Sequence, residues 1–340
     1  MYLSTDSWTG SSQPRAIQPV ITRPTLKLTI TPPPLPDTNT VLFQPSFLAV
    51  LPPPSPRTSF DDLLTALDVP DYAALDTLAF VSRRICDPRL NAGTKGRHLM
   101  GMDRFQAWLA GPPSDSDLVL VDGYCGSVVA DGVSPMSAIC ASLVEELHRR
   151  AGEDTNSARP AVIVLHHFCG QHRGDWDPFR GPAGLLRNLL QQLLQQNRWP
   201  GGAEELLNFV DDGLLRGVDV SEIGSLCYLF WNLVIRLDPS RPVFCIMDGV
   251  SEMETSLNDW CVDARSVIEM LLGLVEDTSR AGPALRVLLT SPQRSTMLGN
   301  TVVPADGRLT LLAPRSPARD TSLFTFQRKV DTLLFAGTDA

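Results

Sequence analysis

The sequence predicts an α/β fold, a five-stranded and mostly parallel sheet with helices on both faces. Two observations carry this. Short apolar runs alternate with longer segments of helical periodicity, the pattern of strands joined by crossover helices. Three of those runs also end in polar or glycine-bearing turns, and the carboxyl edge of an open α/β sheet is where ligands sit.

The runs are Leu118–Val121, Val162–Leu165, Val243–Met247 and Leu285–Leu289, with a weaker fifth at Leu309–Leu312. Helical periodicity falls between them at Pro135–Arg149, Ala183–Gln195, Ser221–Leu237 and Val262–Glu276. Helices are also predicted ahead of the first run. Ser59 and Asp62 have the spacing of a capping box, before a stripe of Leu63, Leu64 and Leu67. A second helix over Asp71–Ile85 places Leu75, Leu78, Val81 and Ile85 on one face. A third, over Met102–Leu109, presents Phe105, Trp108 and Leu109, and Gly111-Pro112-Pro113 ends it. A last amphipathic helix is expected over Asp320–Phe335.

Residues 1–57 differ in character. They are rich in proline, serine and threonine, with Pro32-Pro33-Pro34-Leu35-Pro36 and Pro52-Pro53-Pro54-Ser55-Pro56. Such composition favours extended conformations and buries little. Two readings stand: a disordered leader, or a docking tail for proline-recognising domains. The alternation Leu26, Leu28, Ile30 allows a short strand. The expected division is a tail over 1–57, a helical unit over 58–112, a core over 113–313 and a C-terminal helix and tail over 314–340.

The formal net charge is −9, and the only lysines are Lys27, Lys95 and Lys329. A nucleic-acid backbone binder needs a dense basic face, so that class is excluded. The seven cysteines show no metal-ligand spacing and no small secreted framework. No secretory signal is visible and no apolar run approaches a membrane span of about 20 residues. The expected setting is intracellular, by default cytoplasmic.

The first run leads into Asp122-Gly123-Tyr124-Cys125-Gly126-Ser127-Val128-Val129-Ala130, ahead of a helix opening at Ser134-Pro135. Strand, glycine turn, helix is the layout of a phosphate-binding loop. The third run ends in Asp248-Gly249-Val250-Ser251-Glu252, and an apolar strand ending in aspartate is how such folds present a Mg²⁺-associated carboxylate. The fourth ends in Thr290-Ser291-Pro292-Gln293-Arg294.

Together these elements resemble the NACHT and nephrocystin-type branch of the STAND P-loop NTPases, over roughly residues 100–295. The resemblance implies a three-layer P-loop NTPase-like sheet with strand order 5-1-4-3-2. It marks Gly123, Gly126, Asp248, Glu252 and Arg294 as vestigial NTP-site positions. Where the family commonly has Asp-Gly-x-Asp-Glu, Ser251 takes the first acidic place and Glu252 the second. Where it has Thr-Ser-Arg, Pro292 replaces the arginine. Members usually carry repeats after this core; the chain ends at Ala340, and no such array is expected.

A G-x-x-x-x-G-K-[ST] frame counted from Gly123 places Val128 at the second glycine, Val129 at the lysine and Ala130 at the hydroxyl. The loop is about five residues longer than that frame. No lysine is expected near it, since Lys95 lies ahead of the strand. Asp131 adds negative charge where phosphate would approach.

Each residue also has a plainer reading. Asp248 can hydrogen-bond backbone at the strand end, Glu252 can be a helix-entry acid, and Arg294 can pair with a local carboxylate. A metal site in His166-His167-Phe168-Cys169-Gly170-Gln171-His172 would need His167, Cys169, His172 and a fourth ligand. No Cys-x-x-Cys or His-x₃-His supports one, so the stretch reads as a strand end over the same edge as Asp248.

The function expected is a non-catalytic relative of these NTPases, an interaction or regulatory module with a protein partner and no cofactor. The alternatives are a nucleotide-binding NTPase with an atypical loop, and a remnant without activity.

Overall fold

The computed structural model describes residues 58–112, 114–126, 131–153, 162–196, 206–280, 282–312 and 323–336. The proline-rich tail, its Leu26–Ile30 alternation and the triplet Val128-Val129-Ala130 lie outside the described residues.

Five strands form one parallel sheet: β1 (Asp117–Asp122), β2 (Ile163–Phe168), β3 (Val243–Asp248), β4 (Leu285–Ser291) and β5 (Arg308–Thr310). Their spatial order is β2-β3-β4-β1-β5. This is the expected 5-1-4-3-2 read from the other edge. β4 separates β1 from β3, with Val287 paired to Leu118 on one side and to Cys245 on the other.

Alternation along each strand sends side chains to two cores. Leu118, Leu120, Cys245, Met247, Val287 and Leu289 face one. Val119, Val121, Phe244, Ile246 and Leu288 face the other. The strands are buried on both faces, which is why they read as continuous apolar runs.

On the first face lie helices α1 (Phe60–Leu67), α6 (Gly181–Gln196), α7 (Asp212–Asp219), α8 (Ile223–Ile235) and α9 (Trp260–Thr278). On the second lie α2 (Ala73–Ser82), α3 (Ala92–Met100), α4 (Asp103–Ala110), α5 (Pro135–Glu153) and α11 (Leu323–Ala336). A short α10 (Met297–Thr301) follows β4. The helices of residues 58–112 are thus divided between the two cores. The predicted Ser59–Asp62 capping box forms on α1. Phe105, Trp108 and Leu109 are buried from α4 as expected. Leu75 is not: it is 57% exposed, and Ala74 joins Leu78 and Val81 inward. Ala74, four residues before Leu78, takes the inward place, and Leu75 at the start of the helix faces out.

Two polar devices finish the sheet. β2 is an edge strand, whose unpaired backbone would invite another chain. Two glutamines of α6, one turn apart, cover it. Gln192 accepts from the His166 N–H (2.9 Å) and donates to its carbonyl (2.8 Å). Gln196 does the same for Val164, at 3.2 and 2.8 Å. At the opposite end, buried Arg286 of β4 donates to the carbonyls of Leu109 and Pro112, each at 2.7 Å, and to that of Gly111. It thereby satisfies carbonyls at the end of α4 that helix geometry leaves open.

Among the described residues no single helix is long and apolar enough to cross a membrane. The bent pair α7–α8, at 118°, has the composition together. The apolar residues Leu226, Leu229, Phe230 and Leu233 of α8 are buried in the first core.

Candidate functional site

The carboxyl edge brings the exits of β1, β3 and β4 together around Asp248. Its carboxylate is fully buried. Oδ2 accepts the Ser137 hydroxyl at 2.6 Å and Oδ1 the Thr290 hydroxyl at 2.6 Å. Burial pushes the Asp248 pKa up to about 6, with Glu252 nearby adding to it, and the two hydroxyl bonds pull the other way. Gly249 follows in the left-handed region (φ 78°), which turns the chain sharply off the strand. Its N–H bonds the Thr290 carbonyl at 2.8 Å.

Ser137 is positioned by its own helix start. Ser134 caps α5, and Ser134 and Ser137 exchange backbone-to-hydroxyl bonds at 3.0 Å in both directions. Pro135 holds the first helical position, where its missing N–H costs nothing. The hydroxyl of Ser137 is therefore fixed at the helix entrance, aimed at Asp248. Counting residues from Gly123 had missed it, because the long turn shifts the helix start. Met136, one residue earlier, is fully buried, and a Cβ added to Gly123 would stand 2.7 Å from its Cγ.

The turn after β1 lies along the exit of β4. Gly123 N–H donates to the Ser291 carbonyl (2.8 Å), Cys125 N–H to that of Pro292 (2.7 Å), and Gln293 to the carbonyls of Cys125 and Gly126. Among the described residues nothing crowds a Cβ added at Gly126. Beyond the undescribed stretch, the chain returns against the exit of β2. A Cβ on Gly132 would stand 2.2 Å from the Gly170 carbonyl oxygen, at φ 73°.

Two expectations about charge are corrected. Lys95 does reach the turn. It sits on α3, a helix the sequence reading overlooked because Gly93 and Gly96 weaken its helical signal. Its buried ammonium donates to the carbonyls of Gly123 (2.6 Å), Leu311 (2.7 Å) and Tyr124 (3.3 Å). Three protons on three carbonyls leave none for an anion. Asp131 is not a bare charge over the loop either, because Arg84 pairs with it at 2.6 Å.

The remaining positions are spread out. Glu252 lies in a 3₁₀ turn and is ion-paired to Arg173. Arg294 is exposed and makes no ion pair among the described residues. Asp122, which the sequence did not single out, is buried and accepts from the Ser295 N–H (2.8 Å) and from Arg308 (3.1 Å). Glu254 accepts from Thr296 and Leu298 N–H groups at 2.8 and 3.0 Å and ties the exit of β4 to that of β3. Each buried histidine has its own hydrogen-bond partner. His166 contacts the Ala74 carbonyl and His167 the Asn188 amide, and His172 pairs with Asp177. Among the described residues no group of three or more ligating side chains is placed to hold a metal.

A parallel sheet in this order, with a glycine turn, a helix-borne hydroxyl and a strand-end aspartate meeting at its carboxyl edge, defines a P-loop NTPase-like α/β domain. The family model described as Nephrocystin 3, N-terminal, matches residues 94–292, more than half of the chain. The chain belongs to that family. The match begins within α3, at the residue before Lys95, and ends just past β4. No curated protein and no solved structure matches the chain.

Proposed function

We propose that this chain is a non-catalytic P-loop NTPase-like domain, related to NACHT and STAND proteins, that serves as an interaction or regulatory module. The observation that carries this reading is the pairing of Met136 with Ser137. In a working loop the hydroxyl residue directly follows the lysine that neutralises phosphate. With Ser137 as that hydroxyl, the lysine position is Met136 and the second glycine is Pro135. Methionine supplies no charge, and its side chain is packed beneath Gly123. Lys95, the one lysine nearby among the described residues, is spent on backbone carbonyls.

A Mg²⁺ ion would be held by Ser137 and Asp248, the residue types that such folds use, and it would supply charge neutralisation. Those two residues fit it; Pro135 and Met136, just ahead of Ser137, lack the glycine and the lysine that hold a triphosphate. The fit at Ser137 and Asp248 favours the second reading, a nucleotide binder with an atypical loop. Calorimetry with ATP, GTP and Mg²⁺ separates the two.

A protein partner is part of the first reading. Trp176, in the loop between β2 and α6, is 98% exposed. A rigid aromatic in that position is a common anchor at protein interfaces. The proline-rich tail supplies a second candidate contact.

A further inference from the structure

A cavity opens beside the Asp248 edge, between the exits of β2 and β3. Its volume is about 220 Å³, and its walls include His167, His172, Arg173, Arg180, Glu252 and Trp260. That is below the roughly 300 Å³ at which drug-sized ligand pockets begin, so it suits a small acid rather than a nucleotide.

Three nitrogens on these walls bear on a ligand, and two of them, His172 Nε2 and Arg180 Nε, are buried without a hydrogen-bond partner among the described residues. The first is His167 Nε2. The Asn188 amide oxygen accepts from Gln192 at 3.1 Å, which turns the amide nitrogen toward His167 Nδ1, at 2.9 Å. His167 Nδ1 is therefore an acceptor, and the proton sits on Nε2. Burial keeps that ring neutral, aided by the neighbouring His172 and His166. The second is His172 Nε2, buried and unpartnered, on a ring whose Nδ1 meets the Asp177 carboxylate at 2.9 Å. The two imidazoles stack with centroids 4.8 Å apart. The third is Arg180 Nε, also buried and unpartnered. Its guanidinium lies 4.8 Å over the Trp260 ring, and its Nη1 bonds Asp175 at 2.7 Å. Asp175 is 83% exposed, so solvent screens that pair and leaves the arginine free to exchange partners.

Unpaired buried polar nitrogens cost free energy, and a ligand that supplies hydrogen-bond partners recovers it. Arg173 is paired with Glu252, so Arg180, whose partner Asp175 is exposed, is the cation that the walls can offer a ligand. The cavity also lies at the amino end of α6, whose dipole favours an anion. From this convergence we propose that the cavity is a binding site for a small organic carboxylate, held by the Arg180 guanidinium and the His167 and His172 rings. A carboxylate matches the planar donor fork of arginine.

The test is a titration of the full chain with malonate, followed by ¹⁵N–¹H NMR of the histidine rings. Sodium chloride at equal ionic strength and inorganic phosphate run alongside. Saturable shifts of the His167 and His172 resonances with malonate are expected, and none with chloride. Arg180→Ala should weaken malonate binding about tenfold or more, and His172→Gln should do the same, each in protein whose amide spectrum shows that it remains folded. Asp248→Asn should leave malonate binding intact, which separates this site from the one discussed above. Four outcomes would overturn the proposal: no saturable shift up to about 50 mM, far past a weak 1 mM site; shifts with phosphate alone; shifts that persist in both folded variants; or binding lost on Asp248→Asn.

Discussion

The Ser137 hydroxyl donates to the Asp248 carboxylate at 2.6 Å, across 111 residues of chain. This contact joins the start of α5 to the end of β3. The bond favours the ionised carboxylate, but burial outweighs it, and a first prediction follows from the cost of burial.

Asp248 has a folded-state pKa raised to about 6, chiefly by burial, above its unfolded value near 4. The native state therefore holds the proton more tightly than the unfolded chain. Stability should fall as pH rises from about 4 through about 6, and the full cost, on the order of 3 kcal/mol, is present above that window. Asp248→Asn removes this slope, so the variant should gain about 1–3 kcal/mol over the parent at pH 7.5 and nothing at pH 4. Urea unfolding at both pH values checks it. Equal differences at the two pH values would show that Asp248 is not the titrating group.

Lys95 ties the β1 turn to the end of β5 through the Gly123 and Leu311 carbonyls. Lys95→Met keeps much of the apolar stem but strands these acceptors. It should cost about 3 kcal/mol. Amide exchange should quicken at Leu311, whose N–H bonds the Asp122 carbonyl at 2.8 Å. An unchanged melting temperature would mean that the ammonium does not hold this edge.

How far the sequence reached this picture depends on the range of the interaction. The strands were legible because burial on both faces leaves uninterrupted apolar runs, and Asp248 stood out at the end of one. Ser137 was hidden by counting: a fixed spacing from Gly123 fails once the turn lengthens, and only the helix cap at Ser134 marks the true start. Lys95 was hidden by distance, since its contact with Leu311 spans 216 residues. The glutamines on β2 were hidden by type, because a glutamine on a helix reads as solvent-facing until the strand beside it is known.

Those glutamines give a third prediction. Gln192→Ala leaves the buried N–H and carbonyl of His166 without a partner. A loss of about 3 kcal/mol is expected, with faster exchange of the His166 amide. Retained protection there would indicate that the edge is covered by something else.

Gly132 gives a fourth. Its φ of 73° and the 2.2 Å approach of the Gly170 oxygen to any added Cβ leave no room for alanine. Gly132→Ala should destabilise the protein by more than about 1 kcal/mol, whereas Gly126→Ala, with open space around it, should fall within about 0.5 kcal/mol in thermal unfolding. Equal effects at both glycines would contradict the close packing of the turn against the β2 exit.

On the proposed reading this P-loop-like edge does not bind nucleotide productively. Calorimetry of the full chain with ATP and with GTP, with and without Mg²⁺ and beside Asp248→Ala, tests it most directly. The predicted result is no binding tighter than about 1 mM, near −4 kcal/mol, and no hydrolysis, because Met136 supplies no charge and Lys95 is committed to carbonyls. Micromolar binding by the unaltered protein, abolished in Asp248→Ala, would contradict the account and establish the nucleotide-binding reading in its place.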